Sequence, residues 1–179
     1  MTFRIAVLSF ALAARAAMAQ ARIEVIPLQS VTLTTQQFLS GDASGKPALL
    51  AGELRIPKPG TDRLPAVVLV HGSSGIGPAV AGWAHELTGA GFAVFILDSF
   101  SGRGIASTVE NQTLLSHLAM MVDAWRALAM LAAHPRIDRN RIAIMGFSKG
   151  AVAAVYSAMD RFRKMHGPPG VAFAAHIGM

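Results

Sequence analysis

The arrangement of apolar positions changes near residue 65. Before it, short alternating stretches are broken by turn formers. Arg22–Ile26 and Val31–Thr35 read as extended segments, Ser40-Gly41-Asp42-Ala43-Ser44-Gly45 as a turn cluster, Leu49–Ile56 as a strand, and Pro57 to Pro65 as a loop. After it, unbroken apolar runs alternate with segments of helical period. Ala66–Val70 is a β-branched run suited to a parallel strand buried on both faces. Val80, Trp83, Ala84 and Leu87 then share one helix face, with Pro78 just inside the start and Gly89 and Gly91 at the end.

The alternation continues. Phe92–Leu97 is the next strand, and Asp98 to Ser107 is a loop. Leu114, Leu118, Met121, Trp125, Leu128 and Ala132 line one face of a long helix that stops at His134-Pro135. Asp138-Arg139-Asn140 reads as a turn, Arg141–Met145 as a strand, Ala151 to Arg163 as a third helix, and Val171–Ala175 as a fourth strand. Met120, Met121, Met130, Trp83 and Trp125 read as core. Strand–helix alternation of this kind predicts an α/β fold, a mostly parallel sheet with helices on both faces, preceded here by antiparallel strands. The last strand has no helix behind it before Met179, whereas a doubly wound sheet covers such a strand. The expectation is therefore a domain over 20–179 that is incomplete at its C-terminus, with the last strands and helix missing.

Residues 1–19 stand apart. Arg4, the apolar run Ile5 to Ala14 and Ala17-Met18-Ala19 form a secretory signal pattern cut before Gln20, so the chain is expected to be exported, periplasmic or secreted. The run is too short to span a bilayer, which needs ~20 apolar residues. Of 179 residues 53% are hydrophobic and 15% charged, which excludes a disordered chain. The absence of cysteine excludes disulfides, thiolate zinc sites and a thiol nucleophile. The net charge of +6 comes from the leader and from residues 120–179, where Arg126, Arg136, Arg139 and Arg141 flank helix and strand ends without interleaved aromatics. That distribution argues against a nucleic-acid surface. His85, His117 and His134 lack the spacing of a zinc site and read as ordinary helix residues.

Chemistry concentrates at Gly146-Phe147-Ser148-Lys149-Gly150. This is G-x-S-x-G between a strand and a helix, where the serine hydroxyl is raised above the sheet on a sharp turn. The bland alternative is a serine that caps the helix. A second loop, His71-Gly72-Ser73-Ser74-Gly75, follows the first parallel strand at the same sheet edge. Such a loop supplies one oxyanion-hole N–H and the residue after the nucleophile supplies the other, here Ser73 (or Ser74) and Lys149. His71 reads as a structural hydrogen-bonder. Asp98 is expected to pin Arg103 or nearby backbone N–H groups.

The chain resembles the dienelactone hydrolase branch of the α/β-hydrolase superfamily over most of residues 49 to 179. The resemblance rests on Val70-His71-Gly72-Ser73-Ser74-Gly75, Leu97-Asp98-Ser99-Phe100 with Arg103-Gly104, Asp138-Arg139-Asn140-Arg141-Ile142, and Gly146-Phe147-Ser148-Lys149-Gly150. It implies hydrolysis of a small-molecule ester or lactone through an acyl-enzyme on Ser148, with no metal or organic cofactor. Enzymes that give the family its name use a cysteine where this chain has Ser148, which points away from dienelactone itself. The family's acid and histidine follow the nucleophile in the chain. After Ser148 the candidates are Asp160, His166 and His176, none at the expected place, so an impaired site is expected.

Two other readings stand beside this one. Val68 to Gly77, a helix, and Asp98 at the end of the next strand imitate a dinucleotide-binding βαβ unit of the short-chain dehydrogenase kind. Against it, Tyr156 lacks the lysine four residues on, where Asp160 stands. The other alternative is a hydrolase-like fragment without catalysis.

Overall fold

The computed structural model describes residues 22–179. The expected leader, residues 1–19, lies outside the described residues. In chain order the elements are β1 (Arg22–Thr32), α1 (Thr35–Ser40), β2 (Lys46–Ile56), β3 (Leu64–Val70), α2 (Pro78–Gly89), β4 (Ala93–Asp98), α3 (His117–Ala133), β5 (Ile137–Gly146), α4 (Lys149–Tyr156), α5 (Asp160–His166) and β6 (Ala175–Gly178). They form a six-stranded sheet in the order β1-β2-β4-β3-β5-β6. β1 and β2 pair antiparallel, as do β2 and β4, while β4, β3, β5 and β6 run parallel.

Alternation along the buried strands assigns each side chain to a face. Val67 and Leu69 of β3, with Val94 and Ile96 of β4, meet Val80 and Ala84 of α2 on one face. Val68 and Val70, with Phe95 and Leu97, meet α3 and α4 on the other. α3 is buried nearly all round, from Leu118 through Leu131. Its one acid, Asp123, is fully buried and takes a bidentate pair from Arg103, at 2.7 and 2.9 Å. Arg103 also donates to Thr32 Oγ1 and to the Ser99 carbonyl, each at 2.7 Å. The buried pair thus clamps the loop after β4 to the end of β1.

The structure departs from the sequence reading at several places. Val31–Thr35 is not a separate strand, because Thr34 and Gln37 form a capping box that starts α1, which Gly41 ends in a left-handed conformation. Phe38 of α1 is fully buried against Trp125, Phe162 and His166. The third helix is two, α4 and α5. Ser157 Oγ donates back to the Ala154 carbonyl where the first ends, and the second turns to cover Phe38. Asp138-Arg139-Asn140 lies within β5, at a register shift against β3. The last strand begins at Ala175, not Val171. Leu114 is exposed and precedes α3, and Trp83 is 39% exposed because α2 reaches the sheet through the smaller Val80 and Ala84.

Strand order also separates this sheet from the dinucleotide-binding arrangement. After β3 and β4 the chain crosses to pair β5 on the far side of β3, whereas in the 3-2-1-4 order the third strand lies outside the second. Among the described residues no helix is long and apolar enough to cross a membrane, and no cluster of ligating side chains fits a metal ion.

Candidate active site

Parallel strands bring their C-terminal ends to one rim, and the two loops picked out in the sequence meet there. β5 runs into Gly146 and the chain turns at Ser148, whose φ of 51° and ψ of −111° are the sole positive-φ conformation of a non-glycine among the described residues. Two glycines make the turn sterically feasible. A Cβ at 146 would strike the Gly150 carbonyl, and one at 150 would strike the Val70 and His71 carbonyls. Phe147 N–H donates to Val70 O at 3.0 Å, and Ser148 N–H donates to Met179 O at 2.9 Å, so strands on both sides hold the bend.

Ser148 is exposed, its side chain makes no capping bond, and its hydroxyl has no hydrogen-bond partner among the described residues. The helix-cap alternative is thereby excluded. A Cβ on Gly72 would lie 3.0 Å from Phe147 O and 3.3 Å from Ser148 Cβ, which puts the 71–75 loop directly against the turn. Neither Ser73 N–H nor Lys149 N–H has an acceptor among the described residues. Lys149 opens α4, where the first amides lack intrahelical partners and carry partial positive charge. An exposed hydroxyl beside two unpaired amides is an arrangement able to receive a developing oxyanion.

His71 shapes the second loop from beneath. Its ring is fully buried, edge-on to Phe100, and takes Ser99 N–H on Nε2 at 3.2 Å. Nδ1 therefore carries the proton and donates to Gly72 O at 2.8 Å. Burial pushes the imidazole below its ordinary value, against the opposing pull of the Gly72 carbonyl and of Asp98 and Asp123. Asp98 is raised by burial, but hydrogen bonds from Ser101 and Phe100 outweigh this and hold it below the usual carboxylate range. Asp98 thus pins backbone amides, as expected; Arg103 pairs instead with Asp123, which the sequence reading overlooked. A lone acid inside an apolar helix was the available signal.

Ser73 and Ser148 border two open clefts. The larger, about 690 Å³, is lined also by Thr35, Gln112, Ser116, His117 and Lys149. The smaller, about 330 Å³, is more apolar, with Pro78, Val80, Val109 and Phe147. Ser74 borders only the smaller, whereas Ser73 borders both. His117, read from sequence as an ordinary helix residue, lies in the larger cleft, and burial and then the Lys149 charge lower its pKa. Among the described residues no carboxylate lines that cleft.

Asp160, His166 and His176 line neither cleft. Asp160 pairs with Arg163 and Lys164. His166 donates from Nε2 to Phe38 O, and His176 bonds through Nδ1 to Ser157 and Ala154.

An antiparallel pair leading into parallel strands, with a strained serine turn between strand and helix, defines the α/β-hydrolase fold. The sequence profile of the dienelactone hydrolase family matches residues 50–167, more than half of the chain, and the chain belongs to that family. No match was found among curated proteins. Similar solved structures include a Klebsiella pneumoniae protein assigned to the dienelactone hydrolases (TM-score 0.54, 17% identity, 78% of this chain and 57% of that one). An esterase from Pyrobaculum calidifontis aligns with TM-score 0.52 at 22% identity over 86% of this chain and 45% of that one. A dienelactone hydrolase-like promiscuous phosphotriesterase from metagenomic libraries aligns with TM-score 0.50 at 18% identity over 74% and 52%. These likenesses establish the fold. The chain spans about half the length of the structures it matches.

Proposed function

We propose that the chain is a serine hydrolase of small carboxylic esters or lactones, with Ser148 as nucleophile and the Ser73 and Lys149 amides as the oxyanion hole. The carrying observation is the strained, exposed Ser148 close to two residues whose backbone amides have no acceptor among the described residues. Attack of Ser148 Oγ on the ester carbonyl forms an acyl-enzyme and expels the alcohol; water then releases the acid. Family membership supports this chemistry. Among the described residues no carboxylate–imidazole pair reaches Ser148, so in this reading the chain hydrolyses esters slowly. A site of this kind retains ~10³-fold acceleration over water from its oxyanion hole and binding.

The test is labelling by a fluorophosphonate, with the adduct located by peptide mass spectrometry, alongside hydrolysis of p-nitrophenyl acetate. Slow labelling at Ser148 and slow turnover, both lost in Ser148→Ala, support the assignment. Equal turnover by Ser148→Ala removes it, and labelling that never occurs favours the non-catalytic alternative. The same reading takes residues 1–19 as an export signal, with an exported product, periplasmic or secreted, beginning at Gln20 by N-terminal sequencing.

A further inference from the structure

The segment between the loop after β4 and α3 crosses the rim in front of Ser148 and is fastened to both loops. Thr108 N–H donates to Ser73 O at 2.7 Å, and Ser107 Oγ donates to the same oxygen at 3.3 Å. Gln112 lies at the far end of this strap, in a short 3-10 turn capped by Asn111. Its Oε1 accepts from Ser73 Oγ at 3.0 Å and from Lys149 Nζ at 3.2 Å. Lys149 Nζ also donates to Gln112 O at 2.8 Å and to Thr108 Oγ1 at 3.4 Å. All three ammonium hydrogens thus end on the strap. No carboxylate forms an ion pair with Lys149 among the described residues, and burial lowers its pKa.

The side chains of Ser73 and Lys149 therefore converge on one oxygen, and these are the two residues whose backbone amides are assigned above to the oxyanion hole. We propose that Gln112 is a positioning residue that fixes the spacing of those two amides. The proposal rests on the hydrolase reading above. An oxyanion hole needs both donors within ~3 Å of one point, yet here they belong to segments far apart in sequence. One of them, moreover, lies in a loop with glycine at 72, 75 and 77. A side-chain bridge from the same strap to both supplies the missing constraint. Its effect is on the transition state, not on substrate binding, because charge develops on the carbonyl oxygen only as the serine attacks.

The test compares the full chain with Gln112→Ala, Gln112→Glu, Lys149→Met and the double variant Gln112→Ala/Lys149→Met. Gln112 is exposed, so its replacement leaves the core intact. With p-nitrophenyl acetate, Gln112→Ala is expected to lower kcat about tenfold with KM within about twofold, since small misplacements of this kind weigh on the chemical step. Gln112→Glu keeps an oxygen able to accept from both partners and is expected to recover most of that loss. The double variant should be no slower than the slower single, because one bridge is broken only once. An unchanged kcat in Gln112→Ala, with turnover that still depends on Ser148, overturns the bridge and leaves the hydrolase reading standing. If turnover is independent of Ser148, the hydrolase reading falls instead. Hydrogen exchange then decides the bridge: faster exchange over residues 71–75 and 147–150 in Gln112→Ala supports it, and exchange as slow as in the parent overturns it.

Discussion

The two loops that meet at the Ser148 hydroxyl are shaped by opposite means. The Gly146–Gly150 turn is shaped by its own backbone, by what glycine permits and by the strained φ of Ser148. The 71–75 loop is shaped by one buried side chain, His71, bonded to its own neighbour Gly72 and to Ser99 just past the end of β4. The first device is local, so five consecutive residues reveal it. The second depends on a partner reached only when β4 lies beside β3.

The largest expected effect comes where both devices share a contact. Gly150→Ala drives a methyl group into the carbonyls of Val70 and His71, so the turn and the loop are displaced together. Neither carbonyl can move without breaking the end of β3, and the expected loss is about 3 kcal/mol or more. Urea unfolding followed by circular dichroism measures it. A loss below about 1 kcal/mol shows that the loops yield independently.

His71→Ala breaks the second loop alone. It strands Ser99 N–H, leaves Gly72 O with only the Gly75 N–H, and opens a cavity beside Phe100, for an expected loss of about 2–4 kcal/mol. The imidazole also ties this loop to pH. Because its folded pKa is depressed, folded and unfolded chains both carry neutral histidine above about 6.5. As pH falls below that value the unfolded chain takes up the proton first, so stability declines toward the folded pKa. His117, lowered in the same direction, adds to the slope, which makes the variant the necessary control. The decline in unfolding free energy between pH 7.5 and 5.5 should be shallower in His71→Ala than in the parent. An equal slope assigns the effect elsewhere.

The same contrast explains what could be read from residues in order. Apolar runs disclosed β3 and β4, Pro78 marked the start of α2, and G-x-S-x-G between strand and helix disclosed the turn. Each is a property of a short window. Trp83 was misplaced because periodicity names a helix face but not how closely that face approaches the sheet. The break between α4 and α5 escaped because α5 packs on Phe38, more than a hundred residues earlier. Asp123 escaped because Asp98 is as near to Arg103 in the chain as any acid, and only the fold shows which acid the guanidinium reaches. Gln112 had no signal at all, since its partners Ser73 and Lys149 lie on separate elements.

The smallest expected effect isolates the first device. Ser148 holds a conformation that costs a non-glycine residue about 1–3 kcal/mol. Ser148→Gly removes that strain but adds backbone entropy to the unfolded chain, about 0.5–1 kcal/mol in the opposite sense. The expected net gain is about 1 kcal/mol, read as a higher urea midpoint at an unchanged slope. Ser148→Ala is the matched comparison: it removes the hydroxyl, keeps the Cβ, and should unfold close to the parent because that hydroxyl has no hydrogen-bond partner among the described residues. A gain confined to the glycine variant locates strain in the backbone of the turn, where a reactive serine has to be raised clear of the sheet. Equal midpoints for the two variants mean the surrounding ladder to Val70 and Met179 sets the turn, and Ser148 follows it without strain.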